Sequence, residues 1–380
     1  MTLFLLTFVS VYGVIHLYLF LKARSALAPG FGVSVAMALF LTAMVVAPIA
    51  VRLVDRHGMH VLGRYLAYIA YTWMGLLFFF FWLALCLDMF NVSMRMLSLL
   101  PGFDTGRFVW TGRDSFIFLI SAVVFLGIWS AFCAWQIEID RVVLQTTKLP
   151  ARVEKLTIAQ ISDVHLGLMV GERRLGRIIR LLERVKPDLL VATGDLVDAQ
   201  MDRLDNLAAI LARLHPPRGK FAITGNHEFY AGIRQSERFL KAAGFTLLRN
   251  ESLSLDGLLN IVAVDDPAGK RRYLEKGQQE EKALLGDLNP EKFTLLLKHR
   301  PTVERDSLGR FDLQLSGHTH GGQIFPFNLI TRLFYSKQSG LHRLDRGSVL
   351  YVSRGTGTWG PPMRFLSPPQ VTLIELMRVG

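Results

Sequence analysis

Leu156-Thr157-Ile158-Ala159-Gln160-Ile161 runs straight into Ser162-Asp163-Val164-His165. Residues suited to a buried strand thus deliver a carboxylate and an imidazole at their carboxyl end. The pattern recurs. The stretch 188–193 ends in Gly194-Asp195-Leu196-Val197-Asp198, and 220–224 in Gly225-Asn226-His227-Glu228. Farther on, 293–298 leads to His299-Arg300-Pro301, and 312–316 to Gly317-His318-Thr319-His320-Gly321-Gly322. With another strand over 259–264 and helices over 172–185, 201–214, 231–243 and 301–308, the alternation predicts a layered α/β fold. In such folds chemistry collects at the carboxyl ends of the strands.

A single Asp-x-His or Gly-Asp would carry little weight, because structural roles account for most of them. Five such clusters at five successive strand ends are a different matter. Buried charges and imidazoles are costly unless paired or bound to metal, so a domain that gathers Asp, Asn and several His is expected to gather them around cations. Carboxylate, carboxamide and imidazole without thiolate suit Mn, Fe or Zn and disfavour copper(I) and iron–sulfur centres. The imidazoles also argue against Ca. Two ions about 3.5–4 Å apart can share a carboxylate and clamp the attacking and leaving oxygens of a displacement.

The series Asp-x-His, Gly-Asp-x-x-Asp, Gly-Asn-His-Glu, His and Gly-His-x-His resembles the calcineurin-like metallophosphoesterases over roughly 137–380. Gly317–Ile324 and Ser353-Arg354-Gly355-Thr356-Gly357 are similar to the membrane-associated bacterial branch, which includes UDP-diacylglucosamine pyrophosphohydrolase-type enzymes. The resemblance implies a four-layer αββα sandwich with the site at the sheet ends. It implies that Asp163, His165 and His320 bind one divalent ion, that Asn226, His299 and His318 bind the other, and that Asp195 bridges both. His227 would be no ligand; it would protonate the leaving oxygen or stabilise charge developing there. Asp198 and Glu228 are expected to orient these groups by hydrogen bonds. Asp265 and Asp266 read as a turn able to brace the site. Arg354 and Arg364 are candidates for pairing with substrate phosphate. The family tail carries a Pro-Glu pair where this chain has Pro369-Gln370, which removes a carboxylate there.

The amino-terminal third is of another kind. Mean hydropathy is +0.32 over 380 residues, and the excess lies before about position 136. Four apolar runs, near 3–21, 33–51, 65–87 and 115–135, reach the roughly 20 residues that span a bilayer core. We therefore read residues 1–136 as a transmembrane anchor and 137–380 as the catalytic domain. The first run lacks a preceding positive charge, so it reads as a span and not as a cleaved leader. His16 within it is expected to make an interhelical hydrogen bond. The spans carry no paired charges in this reading, which favours an anchor over a transporter. Short loops place seven Lys and Arg on the side of the catalytic domain and five on the other, so the positive-inside rule favours a cytoplasmic site, and the resemblance implies a bacterial inner membrane. Cys86 and Cys133 both fall in apolar runs, which excludes a disulfide framework in the soluble part.

The formal charge of +12 divides into +4 for residues 1–150 and +8 for the remainder. A basic domain held at a bilayer is drawn to anionic headgroups and phosphate-bearing substrates. No dense basic tract points to a nucleic-acid polymer as partner. The apolar stretch Ile324–Tyr335, interrupted by Arg332, could enter the interface, hold acyl chains or cover the core. These readings lead to hydrolysis of a phosphodiester or pyrophosphate bond in a lipid-linked substrate. The rivals are a generalist phosphodiesterase on soluble nucleotides and a non-catalytic membrane scaffold.

Overall fold

The computed structural model describes residues 2–198, 204–269, 280–286 and 288–380. These form two compact units, one of residues 1–132 with 360–363 and one of residues 133–359 with 364–380.

The first unit holds helices α1 (Thr2–Leu27), α2 (Phe31–Arg56), α3 (His60–Leu97) and most of α4 (Gly112–Trp135). All four are long and apolar enough to cross a membrane. Within this unit His16 behaves as expected of a polar group in an apolar bundle. Its Nδ1–H donates to the Tyr12 carbonyl at 2.8 Å, and Trp73 Nε1 of α3 donates to its Nε2 at 2.9 Å. The expected lack of paired charges does not hold. Helix α3 extends to Leu97 and so carries Asp88, which pairs with Lys22 and accepts a 2.6 Å bond from Tyr18 Oη. Asp55, buried, pairs with His60 at 2.8 Å.

The second unit is built on strands β1 (Glu138–Thr146), β2 (Lys155–Ile161), β3 (Leu189–Thr193), β4 (Lys220–Ile223), β5 (Thr246–Leu247) and β6 (Glu251–Leu255). It continues with β7 (Leu259–Val264), β8 (Phe293–Lys298), β9 (Leu313–Ser316), β10 (Gly340–Arg343), β11 (Val349–Val352) and β12 (Gln370–Arg378). Two six-stranded sheets result, in the orders β1-β12-β2-β3-β4-β5 and β10-β11-β9-β8-β7-β6. The β2–β3–β4 and β7–β8–β9 runs are parallel, so the carboxyl ends of neighbouring strands open on one edge of each sheet.

Strand alternation decides which residues meet. Leu156 and Ile158 of β2 point into a core shared with Ile261, Leu295, Leu297, Leu313 and Leu315 of the other sheet. Their neighbours Ala159 and Ile161 point the other way, onto α5 (Glu172–Val185), α6 (Asp205–Ala212) and the helix Ile233–Ala242. Sheets buried on both faces give the near-continuous apolar runs seen in the sequence. Helix α5 turns Leu175, Ile178, Ile179 and Leu182 inward, an i, i+3, i+4, i+7 stripe. On the far face of the second sheet Leu284, Leu285 and Phe311 cover Val262 and Leu296. The layers are therefore αββα, as the resemblance implied.

One helix differs from expectation. The segment 301–308 forms only a single turn at Arg305–Ser307, flanked by extended Glu304 and Leu308. So short a helix has little stability without a packed face. The helix expected over 231–243 is α8 (Ile233–Ala242), and a short α7 (Asn226–Ala231) precedes it across Gly232, with φ 103°. Helices α9 (Glu281–Gly286) and α10 (Phe327–Phe334) complete the unit. Of the helix predicted over 201–214, residues 201–203 lie outside the described residues.

Candidate metal centre

Each predicted ligand stands one to four residues beyond the end of a strand, and the backbone there is unusual. Asp163, His165, Asp195, His318 and His320 all have positive φ, between 50° and 72°. Non-glycine residues seldom adopt this region, and clusters of them mark functional sites. The turns also need close approach. A Cβ on Gly225 would lie 2.1 Å from Asp195 Oδ1, and one on Gly317 would lie 2.0 Å from Ser162 Oγ. Only glycine lets these loops converge.

The convergence brings ligand atoms together in two groups that meet at Asp195. In the first, His165 Nε2 lies 3.1 Å from His320 Nε2, which is 3.6 Å from Asp163 Oδ1. In the second, His299 Nε2 lies 3.2 Å from His318 Nδ1 and 3.3 Å from Asp195 Oδ2. Asp195 Oδ2 is also 3.9 Å from His165 Nε2, so its carboxylate stands between the groups. Tetrahedral bonds of 2.0–2.1 Å make donor atoms about 3.3 Å apart, which is the spacing observed. Asn226 Oδ1 is buried and has no hydrogen-bond partner among the described residues. A carboxamide oxygen left in that state costs about 1–3 kcal/mol, and a cation would satisfy it. The residues present therefore fit a pair of ions.

The electrostatics suit the same purpose. Burial pushes the His165 imidazole down to about 4 and the His318 imidazole down to about 3, each helped by a neighbouring imidazole. Burial and Arg364 hold His320 well below the ordinary histidine range. Neutral imidazole is the form that ligates. His299 goes the other way: burial opposes its proton, but the facing Asp195 outweighs burial and raises it to about 10. His227 follows His299. Burial would lower it, yet Asp195 and Asp198 together lift it to about 9.

The atoms around the ligands show how they are held. Glu228, fully buried, accepts from the backbone N–H of Gly225 (2.7 Å), Leu196 (2.8 Å), Asp195 (2.9 Å) and Val197 (3.3 Å). It thereby ties the Asp195 loop to the Asn226 turn. Asp198 Oδ1 takes the Nδ1 of His227 at 2.9 Å, which leaves Nε2 as the other ring atom available. Asp265 pairs with Arg249, and Asp266 holds Arg300 by two bonds of 2.7 and 3.0 Å. Arg300 is a residue the sequence reading passed over. It follows His299, and its charge helps keep His318 neutral.

Arg364 stands too deep for the role the sequence suggested, and Arg354 is engaged within the protein. Arg364 is fully buried, donates to the carbonyls of Gly357, His320, Arg354 and Ser367, and reaches His320 Nδ1 at 3.1 Å. A guanidinium so enclosed braces His320 and meets no substrate. Arg354 is bonded to the Pro368 carbonyl and to Glu138. Gln370 starts β12 and donates to Tyr351 Oη and Thr372 Oγ1, so the missing carboxylate is replaced by a structural amide. Beside His227 stand the rings of Tyr230 (5.4 Å) and Trp359 (6.1 Å), both more than half exposed.

Residues 156–322 match the family described as Calcineurin-like phosphoesterase. Over 258 residues the chain is 43% identical to an uncharacterized metallophosphoesterase of Aquifex aeolicus, covering 68% of this chain and 98% of that one. The chain belongs to the calcineurin-like phosphoesterases. It is a metal-dependent phosphoesterase, and the family binds a dinuclear metal site. A Danio rerio transmembrane protein with metallophosphoesterase domain is 35% identical over 240 residues, 60% of this chain and 55% of that one. A Campylobacter jejuni metallophosphoesterase is 36% identical over 231 residues, 60% of this chain and 61% of that one. The chain thus spans little more than half the length of the latter two relatives. The four apolar helices and the relatives named as transmembrane proteins mark this phosphoesterase as membrane-associated.

Proposed function

We propose that this phosphoesterase hydrolyses a phosphodiester or pyrophosphate bond in a lipid-linked substrate such as UDP-diacylglucosamine or a phospholipid. Residues 1–136 would serve as a multi-pass anchor and 137–380 as the catalytic domain, facing the cytoplasm at a bacterial inner membrane. The observation that carries the chemistry is the convergence of two ligand groups on Asp195. In this reading Asp163, His165 and His320 hold one ion, Asn226, His299 and His318 hold the other, and Asp195 belongs to both. Mn, Fe and Zn all suit the donor set. When bound, such a pair supplies Lewis-acid polarisation of the phosphoryl oxygens and lowers the pKa of water toward neutrality.

The protein's own groups do the rest. His227, protonated across the neutral range and held through Nδ1 by Asp198, offers Nε2–H to the leaving oxygen. Glu228 fixes the backbone that carries Asp195 and Asn226. Asp266 keeps the Arg300 guanidinium beside His299, where it can face a substrate phosphate. The lipid-linked substrate is supported by the exposed apolar side chains of Phe325, Leu333 and Leu366 on the segments that follow and flank His320.

A second reading, hydrolysis of soluble nucleotides, draws on Tyr230 and Trp359, whose exposed rings could stack on a base. Turnover of a water-soluble diester is to be compared with that of detergent-dispersed phospholipids and acylated nucleotide sugars, using the full chain. Preference for the lipid esters is expected; better turnover of soluble esters throughout would end the lipid assignment.

A further inference from the structure

Helix α10 is mounted inside out. At about 100° per residue, Phe327, Leu329, Ile330, Leu333 and Phe334 share one side, and Asn328, Thr331 and Arg332 share the other. In a water-soluble domain the first side would face the core. Here no residue of the helix is buried, with Leu333 82% and Phe334 76% exposed. It is the polar side that faces the protein. Asn328 packs against Gly322, where a Cβ would come within 2.4 Å of it, and its carbonyl accepts from Gln338 Nε2 at 2.7 Å. Phe325 and Leu366, also exposed, extend the apolar surface, and Phe325 N–H donates to the Phe365 carbonyl. Soluble proteins seldom leave a contiguous surface of this kind to water.

The same segment adjoins the metal centre, in the unit that also contains the end of the last apolar helix. Tyr335, which caps α10, has its ring 5.3 Å from that of His318. Arg174 of α5 donates to the carbonyls of Ala134 and Thr356, and Arg177 lies over the Trp135 ring at 4.4 Å. The backbone from Thr356 then leads through Phe365 to its pairing with Ile324 and Phe325. Arg332 of α10 is exposed, in a part of the chain with a net charge of +8. Anionic headgroups complement that charge, and an amphipathic helix so oriented lies in the plane of a bilayer interface.

We propose that the apolar face of α10, with Phe325 and Leu366, inserts into the lipid bilayer and seats the mouth of the metal centre on the membrane surface. The occupant is lipid, and the surface is distinct from the spanning helices. This holds whichever ester is the substrate. The unaltered full chain is to be reconstituted in nanodiscs of zwitterionic and anionic phospholipid that contain an acyl-chain diazirine probe, irradiated, and mapped by mass spectrometry. Adducts are expected in residues 325–334 and at Leu366 as well as in α1 to α4. Adducts confined to α1 to α4 would overturn the proposal.

A second measurement uses Leu333→Cys or Leu366→Cys in a chain carrying Cys86→Ala and Cys133→Ala, with Lys241→Cys at an exposed site as an aqueous reference. Spin labels at 333 and 366 should collide several-fold more with oxygen than with a nickel chelate, relative to the label at 241. Equal ratios at all three sites would refute it. So would dipolar broadening between labels at 333, because that would make a second copy of the chain the occupant.

Discussion

His227 offers the sharpest test of the proposed chemistry, because it stands among ligand-type atoms without being needed as a ligand. Ligand-type atoms of His165, Asp195 and His227 lie within 4.8 Å of one another, and Nδ1 of His227 is engaged by Asp198. Proton donation by a positioned general acid is worth about 10²–10⁴-fold in rate, or about 3–5 kcal/mol of barrier. His227→Gln should therefore keep two ions per chain by elemental analysis and lose about that factor in kcat on an alkyl phosphodiester. On a nitrophenyl ester, whose leaving group needs no proton, the loss should be far smaller. Equal losses on both esters would refute proton donation, and a fall to one ion per chain would make His227 a ligand.

Other expectations are briefer. Glu228→Ala strips a shared acceptor from four backbone N–H groups and should lower manganese affinity at least tenfold in calorimetric titration, whereas Glu228→Gln should recover part of it. Gly225→Ala places a methyl against Asp195 and should abolish manganese binding while the circular dichroism is retained. Because Asp195 holds a proton on His299 up to about pH 10, and ligation needs it neutral, manganese binding at pH 7 should release protons and tighten as pH rises toward 9. Titration in buffers of different ionisation enthalpy would read this. Lys220 is buried and its pKa is lowered by burial to about 8. The unfolded chain therefore binds that proton more tightly between about pH 8 and the ordinary lysine value near 10.4, and stability should rise with pH across that window. The rise in melting temperature should vanish in Lys220→Met.

The strands that carry the ligands were legible because they are buried on both faces. Leu259–Val264 and Phe293–Lys298 have the predicted bounds, since a largely apolar run gives way abruptly to polar residues. Glu251–Leu255 and Gly340–Arg343 lie at sheet edges, with polar residues at alternate positions, and gave no such signal. The last strand, Gln370–Arg378, is central, but nothing local tells that it pairs with both β1 and β2. Six of the seven expected ligands come together, with Asn226 in the turn beside Asp195, because each belongs to a short pattern at a strand end. Arg300 was missed and Arg364 misjudged for a common reason. What an arginine does depends on which distant oxygen it meets, here Asp266 for one and four carbonyls for the other.

The left-handed backbone at five of the seven ligand positions restricts what evolution can try there. Only Gly, Asn, Asp and His enter that conformation with little penalty, and of these Gly offers no donor atom. A glutamate, cysteine or threonine could coordinate an ion equally well but would strain the loop that presents it. The limited alphabet of this centre is thus written by the main chain as much as by the metals, and exchanges such as Asp195→Glu should fail in the fold of the loop before they fail in coordination.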